Sequence, residues 1–395
     1  MNDNASARRA GDRSRPAAPA RVITETRFFP LASAYGAFVL PLFVLGWTGR
    51  WDMLPGLTTA TGHAHELFFG YALAVVTGFL VNRIEPDRLW MLIGLWVAAR
   101  LTYLTLPGSV LAMTFNAAFA AGVAATAAPR FMKAAKKWRN KLTGPLVIAI
   151  CLAAVIFQLL ALAGRGAGLY AVLGEAVVLF AMLMLFFGGR MIAPAAAGVI
   201  EGSGGALTAR VQPRVESVIL LAMIAAVASA PFELLATLHG LALTVAGLFA
   251  LIRLLRWKMW RCLQRADLVG LGTGYAWLSA GLILLGLSRG FDLGLPPGQA
   301  VHAITVGALG TLTASVMLRT RLLRLRVPLE QLRVAFWSIT ALMSVAALAR
   351  MLFGHQQGAL MLAALAWMAA LLILLIVLTV HRRKYQRPSH PGCSK

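Results

Sequence analysis

Charge is what this sequence has least of. Of its 395 residues only 13% are Asp, Glu, Lys or Arg, about half the share of an ordinary soluble chain, while 59% belong to the apolar and aromatic set. No stretch long enough to be a water-soluble domain has ordinary polarity, which excludes a soluble enzyme on a single anchor. Cysteine is scarce too: Cys151, Cys262 and Cys393 stand more than a hundred residues apart, with no C-x-x-C or C-x-x-C-H. That spacing argues against a disulfide scaffold, a cysteine-ligated cluster and covalently attached haem. Acidic residues number 14 against 37 Lys plus Arg, for a formal net charge of +23. In a soluble chain such an excess would suggest a nucleic-acid partner.

Long apolar runs are what the chain has instead. A bilayer span needs about 20 mostly apolar residues, and the runs predict twelve: 28–47, 66–81, 89–106, 109–127, 143–163, 169–188, 217–235, 237–252, 267–287, 300–318, 334–353 and 358–380. The predicted fold class is therefore all-α, a polytopic membrane bundle of about twelve transmembrane helices. An even count puts both termini on one side. With the termini cytoplasmic, thirty-two of the thirty-seven basic residues fall in cytoplasmic segments, Arg50, Arg165 and Arg289 fall in outer loops, and Arg100 and Arg350 lie within spans. The positive-inside rule is obeyed throughout. The positive charge thus reads as an orientation signal facing anionic inner-leaflet lipid, with the lipid bilayer as partner and no nucleic-acid role.

Residues 1–27 are polar, rich in Arg, Ala and Pro and without periodicity, which predicts a disordered basic cytoplasmic tail. Residues 28–380 form the membrane domain and 381–395 a second basic tail. Gly202-Ser203-Gly204-Gly205, in the inner loop 189–216, could join two six-helix halves, although no sequence repeat relates them.

Polar groups inside a span are functional candidates by default, and here their depth is one-sided. His63, His65, His239, His302 and His355 all map to the outer ends of spans. At 1.5 Å per residue, Arg100 lies roughly 9 Å and Glu175 about 8 Å below the outer ends of their helices. Several imidazoles from different helices, without clustered cysteines or carboxylates, suit haem iron, copper or zinc rather than calcium or magnesium. For His239 and His355 the plainer alternative is an imidazole bridging headgroup and core. In Gly62-His63-Ala64-His65-Glu66 the two rings would point about 200° apart on a helix and toward the same side on an extended lead-in. Either they share a metal such as copper or they have different jobs. Glu66 is placed to fix an imidazole tautomer, or simply to favour a helix N-terminus. Gly307, Gly310 and Ala314, following His302, make a small-residue stripe that admits another helix or a flat macrocycle.

These blocks carry a resemblance. Gly62-His63-Ala64-His65-Glu66 through Phe68-Phe69-Gly70-Tyr71-Ala72 and Thr77-Gly78-Phe79-Leu80 resembles a signature of the NnrS family of bacterial membrane proteins. So, in order, do Arg27-Phe28-Phe29-Pro30, Ala98-Ala99-Arg100, Gly188-Gly189-Arg190, Gly274-Tyr275-Ala276-Trp277-Leu278 and the His302–Thr311 block. The resemblance implies a twelve-span inner-membrane protein with haem and possibly copper, tied to nitric oxide, nitrosative stress and denitrification. It makes His63, His65 and His302 the metal-ligand candidates. Arg100 becomes a partner for a haem propionate (haem b) or for Glu175, and nitric oxide a possible ligand. Gly272 and the stretch Leu323-Arg324-Leu325-Arg326 stand where many members have histidine, both toward the inner side. An alternative function is transport of a small anion or metal ion along Arg100, Glu175 and the histidines. Against it, the inner half looks free of ionisable residues, and the prolines lie near span ends rather than at midplane breaks.

Overall fold

A computed structural model describes residues 21–134, 142–291, 294–354 and 356–385; His355 lies outside them. Helices dominate because a chain in hydrocarbon must satisfy its backbone N–H and C=O groups internally. Among the described residues, nine helices are long and apolar enough to cross a membrane. Among those residues, sheet is confined to a two-stranded antiparallel ribbon, Val22–Ile23 against Arg83–Ile84, with Val22 opposite Ile84. Thr24 Oγ1 donates to the Asn82 carbonyl at 3.0 Å beside it. Order therefore begins before residue 28, inside the segment read as tail.

The bundle closes on itself. Its first helix, Glu25–Trp47, packs along its last, Gln357–Tyr385, while Ala266–Gly290 runs through the middle and touches helices from both halves. Ala236–Arg256 lies tightly on that central helix because glycines meet there. A Cβ on Gly240 would collide with the backbone of Gly290, the close approach that small residues allow between membrane helices. Large apolar side chains such as Phe38, Leu221 and Ile376 point outward, where lipid rather than water is their natural contact.

Three helices differ from expectation. Gly166–Gly202 continues well past 188, through Pro194, and ends at Gly202 with Gly204 at φ +79°, so much of the expected inner loop is helix. The other two are broken. Ala60–His65 is α-helical, Glu66–Ala72 is π-helical, and α-helix resumes at Leu73–Leu80. The same sequence of states recurs in Pro297–His302, Ala303–Gly310 and Thr311–Arg324. In both, a histidine is the last α-helical residue and glycine follows five positions later, Gly70 after His65 and Gly307 after His302. The absence of midplane breaks, inferred from proline positions, is thereby corrected. A π segment widens the turn with ordinary residues and needs no proline to mark it.

Candidate functional site

The two histidines of the Gly62–Glu66 block part company because residues 60–65 form a regular helix. Residues two apart then face opposite ways. His63 faces a cavity of about 940 Å3; His65 faces a wholly buried polar cluster.

The cavity is walled by Leu40 and Phe43 of the first helix, by Tyr71 and Trp367, and by residues from both broken helices. Among the described residues three imidazoles line it, from three separate helices: His63, His239 and His302. His63 is stacked on Phe43 with ring centroids 4.1 Å apart and planes at 18°. His302 Nδ1 donates to the Gly298 carbonyl at 2.5 Å, and His239 Nδ1 to the Ala226 carbonyl at 2.9 Å. Each of those bonds fixes a tautomer whose Nε2 carries a free lone pair, the arrangement that orients metal-binding histidines. His63, His302 and Arg350 lie within Coulombic reach of one another. Arg289 and Glu175 also line the cavity, and Glu175 Oε2 is buried with no hydrogen-bond partner among the described residues. The Gly307–Gly310 stripe turns away from this space. Cβ atoms there would press on Trp277 and Trp367, at 2.7 and 2.6 Å, so helix packing accounts for those glycines.

Beneath the cavity, Glu66 is the hub of the polar cluster. Its Oε1 accepts from His65 Nδ1 at 2.8 Å and from Arg100 Nη1 at 2.6 Å, while Tyr35 donates to Oε2. Arg100 also donates to Asn116 Oδ1, whose amide nitrogen donates in turn to the Ala112 carbonyl at 2.8 Å. Gln158 donates to His65 Nε2 at 2.7 Å, and the imidazole stacks on Tyr103 at 3.8 Å. Both nitrogens of His65 are thus engaged by protein. Arg100, expected at a propionate or Glu175, is paired with Glu66 instead. The π segment contributes directly: the Gly70 carbonyl accepts from Trp96 Nε1 at 2.9 Å. Gly70 must stay small, since a Cβ would meet Arg100, Tyr35 and Glu66 at 2.8, 2.9 and 3.0 Å. A carboxylate taken out of water is tolerated here because charged and neutral donors surround it.

Sequence reasoning missed Tyr35, Asn116 and Gln158. Each is a polar residue inside an apolar run, a signal that is present but weaker than that of a charged side chain. It also read the inner half as free of ionisable groups, and that is corrected. Glu25 and Asp267 are 1% and 2% exposed, Arg253 is 8% exposed, and all are paired: Glu25 with Arg324 at 3.2 Å, Asp267 with Arg265 at 3.0 Å, Arg253 with Glu216 at 2.7 Å. Span boundaries drawn from hydropathy left Glu25 in the tail, Arg253 in a loop and Asp267 at the very edge of a span, whereas the helices carry all three into the packed bundle. Gly272 and Arg324, where the resemblance led histidine to be expected, lie at this far end. Gly272 faces Met259, where a Cβ would sit 3.1 Å from Cε, and Arg324 is bound to Glu25.

The described residues include no group of three or more His, Cys, Asp or Glu side chains arranged to hold a metal ion. Imidazoles beside apolar walls and cations, as they stand in this cavity, are the kind of lining that haem would need. Cavities of about 300–1,000 Å3 are the usual size for a cofactor.

Fold and cavity together define a class: a polytopic helical membrane protein with histidines from separate helices lining one cavity. Within that class the chain belongs to the NnrS family, whose family model, described as NnrS protein, matches residues 27–381. No curated protein matches the chain.

Proposed function

We propose that this protein is a twelve-span bacterial inner-membrane protein, with both termini cytoplasmic, that holds a b-type haem in the histidine cavity and binds nitric oxide there. Its role in this reading is in nitrosative stress and denitrification. Three segments join the nine long helices to make twelve: 60–80, broken by its π turn, Pro86–Thr105, which is less apolar, and Pro213–Ser229, which is shorter. The observation that carries the proposal is the pairing of His63 and His302, brought by two separate helices to one cavity, in a chain of the NnrS family.

Each residue has a part. His302, its tautomer set by Gly298, would hold the haem iron through Nε2. His63, held flat against Phe43, supplies a second imidazole to the same space. Arg289 and Arg350 provide cations for carboxylate groups at the rim, the task expected of Arg100. His65, Glu66 and Arg100 brace the helix that carries His63. Haem, when bound, supplies an iron that takes a diatomic ligand.

The test is an absorption spectrum of the detergent-purified protein made with ample haem, oxidised and then reduced. A Soret band that shifts on adding nitric oxide supports the reading; its absence removes it. The two π-helical breaks also suit a small-anion or metal-ion transporter. That second reading predicts substrate uptake into vesicles without haem.

A further inference from the structure

A second cavity, of about 350 Å3, lies toward the opposite end of the bundle. One helix reaches both: Glu175 lines the histidine cavity and Arg190 the second one, roughly 22 Å further along at 1.5 Å per residue. The same division holds on Ala236–Arg256, with His239 at the first cavity and Arg253 at the second.

The lining has two parts. Leu146, Met182 and Leu220 make an apolar slot, and Arg190, Arg210 and Arg253 make a basic end with a single acid, Glu216. Glu216 is already bound to Arg253 at 2.7 Å, and Arg253 also donates to the Leu185 carbonyl at 3.2 Å. Three guanidinium groups to one carboxylate, among the described residues, give that end of an otherwise apolar space a net positive charge. Two polar atoms in this lining, Thr143 Oγ1 and Arg253 Nε, are buried with no hydrogen-bond partner among the described residues, and Thr143 is only 1% exposed. A buried hydroxyl or guanidinium N–H without a partner is costly. An anionic group with several acceptor oxygens would complete both. A free anion would leave the apolar slot empty, whereas an acyl chain would fill it. Basic pockets between transmembrane helices at the cytoplasmic face hold anionic lipid head groups.

We infer that this cavity binds an anionic phospholipid, its phosphate against Arg190, Arg210 and Thr143 and an acyl chain along Leu146, Met182 and Leu220. The inference is independent of haem, since no residue of the histidine cavity takes part.

The experiment uses the full chain, delipidated in detergent and examined by native mass spectrometry with phosphatidylglycerol, with phosphatidylcholine of the same chains, and with inorganic phosphate. Retention of phosphatidylglycerol about thirtyfold over phosphatidylcholine is expected, with a similar loss in the Arg190→Gln, Arg210→Gln double variant, from about 1 kcal/mol per arginine. Leu220→Trp, which fills the slot and leaves every charge in place, should also lower retention, and covers the case in which the double variant does not fold. Equal retention of the two lipids, displacement of phosphatidylglycerol by inorganic phosphate alone, or unchanged retention in Leu220→Trp would each overturn the inference.

Discussion

His63 and His65 are separated by one alanine yet belong to two different kinds of site. The His65 region is closed: both nitrogens of the imidazole are bonded to protein, Glu66 accepts from three side chains, and only Arg100 Nε and Gln158 Oε1 lack a partner among the described residues. The His63 region is open: three imidazoles line an apolar cavity, two of them pinned through Nδ1 so that Nε2 is left available. The difference teaches how to read an intramembrane histidine. A ring with both nitrogens bonded to protein holds structure together, and a ring with one nitrogen pinned is prepared for a ligand. Helical geometry alone produces the division.

The largest expected effect sharpens the open side. His302→Ala should remove essentially all haem absorption while the protein still elutes from size exclusion as a single species; retained absorption would take His302 out of the site. Next comes the closed side. Arg100→Ala leaves the Glu66 carboxylate buried without its cation, and breaking such a pair costs about 3–5 kcal/mol. Thermal unfolding in detergent should show a large drop, partly recovered in Arg100→Lys. A smaller effect is expected from Gly70→Ala, whose methyl presses on Arg100, Tyr35 and Glu66. Overpacking of this kind costs about 1–3 kcal/mol, and the same unfolding assay should place it between wild type and Arg100→Ala. Smallest is His63→Ala, which should keep haem and weaken nitric oxide binding about tenfold, equivalent to about 1.4 kcal/mol, read by spectral titration of the reduced protein. If His63→Ala instead unfolded like Arg100→Ala, the contrast between the two histidines would collapse.

Much of the helical bundle was legible because apolar runs of span length have few other meanings in water or lipid. Helix ends were less so. Residues 189–202 contain Pro194 and several glycines, yet they extend Gly166–Gly202, because packing against neighbouring helices outweighs weak local propensity. The π turns at 66–72 and 303–310 left no sign in composition. For the site, the five residues His63, His65, Glu66, Arg100 and His302 were all singled out, but their grouping was not. Only the turn register at 60–65 decides that His63 joins His302 and His65 joins Arg100. Tyr35, Asn116 and Gln158 come from three further helices, and no local pattern brings them to Glu66.

One measurement bears most directly on this division: the haem-to-protein ratio of the purified wild type, His65→Gln and His302→Ala, read from the reduced pyridine adduct and protein absorbance. The glutamine keeps a hydrogen-bonding group beside Glu66 and Gln158. A ratio unchanged in His65→Gln and close to zero in His302→Ala is the predicted result. Loss of haem from His65→Gln with retention in His302→Ala would show that the ligand lies in the buried cluster and contradict the account.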